Sequence, residues 1–190
     1  EHYNLISALH KSIRGSDPDA ALYWLARILD GGEDPRFIAR RLLRMALEDV
    51  GLADPQAQTI CLHAWQSFER LGSPEGELAL AQAALYLALA PKSNASYKGF
   101  NLSLDLVKQT SSEPPPKHIL NAPTDLMKEQ GYGVGYEYDH DNADGFSGQN
   151  YFPEKIERLS AYQPVERGFE RELKKRISYF KNLREKRKSI

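Results

Sequence analysis

The residues Pro91-Lys92-Ser93 set a lysine beside a hydroxyl, as the end of a GxxxxGK[ST] phosphate loop does. Such a loop needs glycines whose backbone N–H groups curl around a phosphate, entered from a strand and leaving into a helix. Here the preceding Leu87-Ala88-Leu89-Ala90 holds no glycine and continues a helical pattern. Lys92 therefore reads as a group at a helix C-terminus, complementing the negative end of the macrodipole and capping free carbonyls, with Ser93 available to cap the next helix. The run Asp139-His140-Asp141-Asn142-Ala143-Asp144-Gly145 has the composition of a calcium loop. With Gly145 at the sixth position, however, Tyr151 stands where a bidentate Glu is required and His140 where an Asp is required, so a solvated acidic turn is expected. His2, His10, His63 and His118 are scattered, and Cys61 and His63, two apart, point to different sides of a helix. No nucleophile, base and orienting acid lie together, and no catalytic, cofactor-binding or metal residue is assigned.

Basic residues supply the other candidate chemistry. Arg36, Arg40 and Arg44 form an i, i+4, i+8 stripe with Arg41 beside it, a row able to track phosphates. Glu33, Asp34, Glu48 and Asp49 bracket the stripe, and Arg44 can pair with Glu48, which favours a salt-bridged face. From Arg167 to Lys188 there are ten Lys/Arg against three Glu, a local charge of +7 in a chain whose net charge is −1. Lys174, Lys175 and Lys181 of this arm, with the arginine stripe, are the candidates for contact with DNA or a partner; an exposed, helix-stabilising basic end is the equal alternative.

The elements that must position these residues are helices. Ser16-Asp17-Pro18, Asp34-Pro35, Asp54-Pro55 and Ser73-Pro74 each put a capping side chain directly before proline, the signature of a helix start. Gly15, Gly31-Gly32, Gly51 and Gly72 fall where C-terminal caps belong. Apolar stripes of helical period follow each start: Ile6, Leu9 and Ile13; Leu22, Leu25 and Leu29; Ile38, Leu42, Met45 and Ala46; Cys61, Ala64, Trp65 and Phe68. The fifth helix is apolar all round from Leu78 to Ala90 except for Gln82, so it must be covered all round. It is either the central helix of the domain or part of a subunit interface, with Leu80, Ala84, Leu85 and Leu87 expected in buried packing near that interface. A sixth helix is expected over about 96–109.

Residues 1–112 thus read as a mostly α, antiparallel helical core, followed by an irregular wrap over 113–166 and a basic C-terminal helix from 167 to 190. Ser111-Ser112-Glu113-Pro114-Pro115-Pro116 forbids helix continuation. Beyond it, Tyr132, Val134, Tyr136 and Tyr138 alternate as in a short strand or ribbon. A hydrophobic content of 41% and a charged content of 27% are those of a globular protein without a global bias towards nucleic acid or membrane. The single Cys61 excludes an internal disulfide and fits a reducing, cytoplasmic setting. The longest apolar run, 78–90, is thirteen residues, short of the roughly 20 needed to span a bilayer. A chain that starts at Glu1, already in helical pattern, reads as a piece of a longer protein.

Taken together, the stretches HYNLISALHKSIRGSDPDAALYWLARILDGGEDPRFIARRLLRMALEDVGLADP, GSPEGELALAQAALYLALAPKSN, HILNAPTDLMKEQGYGVGYEYDHD and YQPVERGFERELKKRISYF resemble the C-terminal region of the RarA/MgsA family. These are bacterial replication-associated recombination AAA+ ATPases, similar to the eukaryotic Werner-helicase-interacting protein. The resemblance implies an ATPase core with ATP and Mg²⁺ N-terminal to this region, and a non-catalytic domain like the helical collar of clamp-loader subunits that holds a homotetramer. It also implies DNA and single-stranded-DNA-binding protein as partners at stalled forks. Asp125, Val134 and Glu137 stand where members of the family often carry basic residues, which puts a DNA-contacting role for the tyrosine ribbon in doubt.

Overall fold

A computed structural model describes residues 2–189. Eight α-helices are present among them: α1 (His2–Arg14), α2 (Pro18–Asp30), α3 (Pro35–Met45), α4 (Gln56–Leu71), α5 (Glu77–Leu89), α6 (Ala95–Thr110), α7 (Asp125–Glu129) and α8 (Glu170–Lys188). A π-helical turn, Ala46–Val50, and a 3-10 turn, Gly51–Ala53, link α3 to α4.

The proline-marked starts work as their chemistry predicts. Asp17 accepts from the Ala20 N–H at 2.9 Å, Asp34 from Arg36 at 2.9 Å and Asp54 from Gln56 at 3.0 Å. Each carboxylate satisfies a donor that has no partner inside the helix. Ser73 behaves differently. Its hydroxyl donates to the Glu77 carboxylate at 2.9 Å and α5 starts three residues beyond Pro74, after a turn. Gly76 ends that turn because a Cβ there would sit 2.9 Å from the Phe68 Cα.

The chain forms two compact units. The first comprises Glu1–Phe100 and Tyr162–Lys174, the second Asn101–Ala161 and Lys175–Ile190. In the first unit α5 is the central helix, packed against α1, α2, α3 and α4. Leu80, Ala83, Ala84, Leu87 and Ala88 are fully buried there, in one core with Leu9, Ile13, Ile28, Ile38, Leu42 and Met45. The alanines let the neighbouring helices approach closely, and the surrounding leucines and isoleucines fill the remaining space.

The second unit comprises the C-terminal part of α6, most of α8 and, between them in sequence, a largely irregular segment with one helical turn, α7, capped by Thr124. No strand forms among the described residues, which corrects the ribbon expected at 132–138. Gly131, Gly133 and Gly135 all adopt positive φ, between 76° and 85°. A left-handed residue at every second position curls the backbone and removes the extended geometry a ladder needs. The alternation of aromatic and glycine is therefore a run of turns, with Val134, Tyr136 and Tyr138 exposed. Phe146 anchors the acidic loop of this unit: its ring stacks on Phe180, and the guanidinium groups of Arg184 and Arg187 lie 5.2 Å from its centre. Arg187 also pairs with Asp144 at 2.8 Å.

Candidate functional site

Lys92 occupies the end of α5 in the way its context predicts. Its ammonium donates to the carbonyls of Ala88 and Ala90 at 2.9 and 2.6 Å and to the Ser16 hydroxyl at 3.2 Å. Ser93 then accepts from the Ala95 N–H at 3.1 Å, opening α6. This is the negative end of a helix with its lysine already bound to carbonyls, so the Lys-Ser pair does not fit a nucleotide phosphate. Burial pulls the Lys92 ammonium below the usual lysine range, against the opposing pull of Asp49.

Beside it lies a cluster with no local trace in the sequence. Asp49, buried on the π-helical turn, meets His10 Nε2 at 2.6 Å and accepts from Arg14 Nε at 2.7 Å. Glu48 lies 3.7 Å from Arg14 and accepts from Arg44 at 3.0 Å. Burial opposes ionisation of Asp49, but the hydrogen bonds and charges of His10 and Arg14 outweigh it and hold the carboxyl below the usual aspartate range. His10, Glu48 and Asp49 could converge on a cation. The Arg14 guanidinium already supplies that charge, so the group is a half-buried ion pair joining α1 to the α3–α4 link.

The arginine stripe is largely spent inside the chain. Arg36 pairs with Glu69 at 2.7 Å, and Arg44 with Glu48 while lying over the Tyr97 ring. Arg40 is exposed and has no ion pair among the described residues. Lys174 pairs with Glu166 at 2.9 Å, whereas Lys175 and Lys181 are exposed without a carboxylate partner among the described residues.

Of the four residues expected near an interface, Leu80, Ala84 and Leu87 are sealed inside the first unit and Leu85 is half-buried. The exposed apolar surface lies elsewhere. Leu102, Leu104 and Val107 of α6 are 46%, 44% and 55% exposed, and Phe100, one turn before Leu104, is 67% exposed. On α5 only the outer edge, Leu78 and Leu89, is open. The sequence predicts a helix over about 96–109 without marking which face is covered, and its surroundings separate α6 from α1 to α5.

Comparison with known proteins agrees with this arrangement. The chain is 54% identical over 188 residues to "Replication-associated recombination protein A" of Coxiella burnetii, covering 98% of this chain and 43% of that protein. It is 51% identical over 178 residues to the Escherichia coli K12 protein of the same name, covering 93% and 40%. It is 44% identical over 162 residues to "ATPase WRNIP1" of Dictyostelium discoideum, covering 85% and 18%. The chain thus spans about two fifths of the length of the bacterial relatives. No helix among the described residues is long and apolar enough to cross a membrane. With residues 15–181 matching the family described as MgsA AAA+ ATPase C terminal on an all-helical core, the chain belongs to that family of replication-associated recombination ATPases.

Proposed function

We propose that this chain is the assembly domain of a longer AAA+ ATPase, in which copies shelter one another's exposed helix faces. The observation that carries this reading is α6: Phe100, Leu104 and Val107, which their spacing of four and three places on one helical face, are each more than two fifths exposed. Apolar side chains grouped in this way mark protein interfaces more often than free surface. The resemblance of the sequence to the RarA/MgsA family favours a homotetramer. In this reading the domain has no catalytic role; ATP and Mg²⁺ belong to an N-terminal core, and the assembled protein works in the cytoplasm on DNA at replication forks, with single-stranded-DNA-binding protein as a partner. The test is the mass of the chain by multi-angle light scattering: an assembly is expected, and a monomer at about 50 μM, where interfaces of standard size are occupied, overturns the proposal.

A second reading, contact with DNA, rests on Lys175 and Lys181, whose charges are uncompensated on α8. Replacing both with Gln is expected to weaken DNA binding by the full-length protein and to lower its salt dependence. Unchanged binding excludes the pair from the contact.

A further inference from the structure

A cleft of about 360 Å³ opens between α1 and α3. One wall is apolar, made by Tyr3, Ile6 and Phe37; the other carries His10, Lys11, Arg14 and Arg41. Among the described residues, no acidic residue lines it. The charges of the basic wall differ in what already holds them. His10 and Arg14 face Asp49 at 2.6 and 2.7 Å. Arg41 has no carboxylate within ion-pair range among the described residues; its one contact is from Nη2 to His10 Nδ1 at 3.4 Å. Its Nε is out of solvent and without a hydrogen-bond partner. Lys11 is exposed and also has no acidic partner among the described residues.

An N–H removed from water with no acceptor is costly, and a guanidinium presents its donors in a fork that fits a carboxylate. The cleft therefore has an unmet demand for an anion at one end and apolar walls at the other, and its volume suits a short side-chain pair. We propose that the α1–α3 cleft is a docking site for an acidic peptide segment, with a carboxylate on Arg41 and Lys11 and a neighbouring large apolar side chain against Ile6 and Phe37. A peptide fits better than a nucleic acid strand. A phosphodiester needs a row of cations along its path, but residues 1–100 hold ten Lys/Arg against twelve Asp/Glu, and Arg36 and Arg44 of α3 are bound to Glu69 and Glu48. A basic pocket in a net-acidic stretch of chain selects an occupant that reaches in at one point.

The test is to pan a display library of random dodecapeptides on the 190-residue chain, synthesise the most enriched sequence and measure its binding by fluorescence anisotropy. Enriched peptides are expected to pair Asp or Glu with Leu, Phe, Tyr or Trp. Affinity is expected to fall at least about tenfold with Lys11→Glu, whose side chain is exposed, and with Arg41→Gln, both variants keeping the wild-type circular dichroism and melting temperature. Three results overturn the proposal: no enrichment of acidic-apolar pairs, binding that both variants leave unchanged, or displacement of the peptide by oligo-dT whose own binding Lys11→Glu abolishes. The last would make the cleft a nucleic acid site.

Discussion

The Arg167 Nε donates a hydrogen bond to the main-chain carbonyl of Lys92 at 2.6 Å, across 75 residues of sequence. Lys92 thereby has two roles: its ammonium closes α5, and its carbonyl receives the segment that leads into α8. One further contact ties that segment to the α3–α4 link, and another braces the segment internally. The Phe169 N–H donates to the Ala53 carbonyl at 2.8 Å. The fully buried Glu170 accepts from the Tyr162 hydroxyl at 2.5 Å, and burial together with this carboxylate pushes the Tyr162 phenol well above its usual range.

Gly168 is the residue on which this docking depends. It has φ +56°, and a Cβ there would stand 2.2 Å from the Ala53 carbonyl oxygen and 2.7 Å from Pro91 Cγ. Gly168→Ala is expected to dislodge residues 162–174, read as lost hydrogen-exchange protection there and a stability loss of about 2–4 kcal/mol. Gly32→Ala is the control. It shares the left-handed backbone at φ +84° but meets nothing within 4 Å, so it is expected to cost only about 1 kcal/mol. Equal losses in the two variants would show that strain alone, and not the close approach to Ala53, sets the demand for glycine at 168.

What could be read from the sequence was local. Asp17, Asp34 and Asp54 cap within three residues, the Arg44–Glu48 pair is one helical turn, and Lys92 reaches carbonyls two and four residues back. What could not be read joins distant positions: His10 to Asp49 over 39 residues, Arg36 to Glu69 over 33, Arg167 to Lys92 over 75. Composition required α5 to be covered on every side; its four neighbours bury Leu80, Ala83, Ala84, Leu87 and Ala88 but leave Leu78 and Leu89 open, so the requirement is met on most of the helix and not on its outer edge. Composition likewise did not mark the open face of α6, where Phe100, Leu104 and Val107 are exposed. Over 131–135 the period of two was real and its cause misread, because alternating left-handed glycines and alternating strand faces leave the same pattern.

Cys61 is 2% exposed, its thiol donates to the Leu42 carbonyl at 3.6 Å, and burial pushes its pKa up to about 12. The thiolate is the reactive form, so Cys61 is expected to react with a maleimide near pH 8 on the order of a thousandfold more slowly in the native chain than in guanidinium chloride. Rapid native labelling would mean that α4 opens readily from α3.

Asp49 gives the fold an acid limit. Its carboxyl titrates lower in the folded chain than in the unfolded one, so the stability it contributes is complete above about pH 4, the unfolded value, and is lost as pH falls through the folded value. Asp49→Asn keeps the shape and removes the charge that holds His10 and Arg14. At pH 7 the variant is expected to be less stable by about 1–3 kcal/mol, Arg14 being half exposed and so partly screened. The gap between variant and wild type is expected to close in urea titrations run from about pH 5 down to about pH 2. A gap that stays constant through that range would assign the loss to hydrogen-bond geometry instead of charge.

If copies assemble through α6, core burial and assembly can be separated by substitutions in α5 and α6. Leu80 is fully buried in the first unit, so Leu80→Ala is expected to cost about 2–5 kcal/mol of stability through the cavity it leaves. Leu104 and Val107 are 44% and 55% exposed, and in an isolated chain their replacement by Glu disturbs little packing. If α6 is the face that copies share, Leu104→Glu with Val107→Glu buries like charges at each contact, and the light-scattering mass is expected to fall to that of a 21.5 kDa monomer with helical content retained. Leu78→Glu with Leu89→Glu makes the same change on the outer edge of α5. A mass that falls with this second pair, and not with the first, would move the contact from α6 to α5; a mass that falls with neither would leave both faces outside it. The two pairs together locate the interface because both alter exposed leucine or valine positions, and only one of them is expected to change the number of chains that travel together.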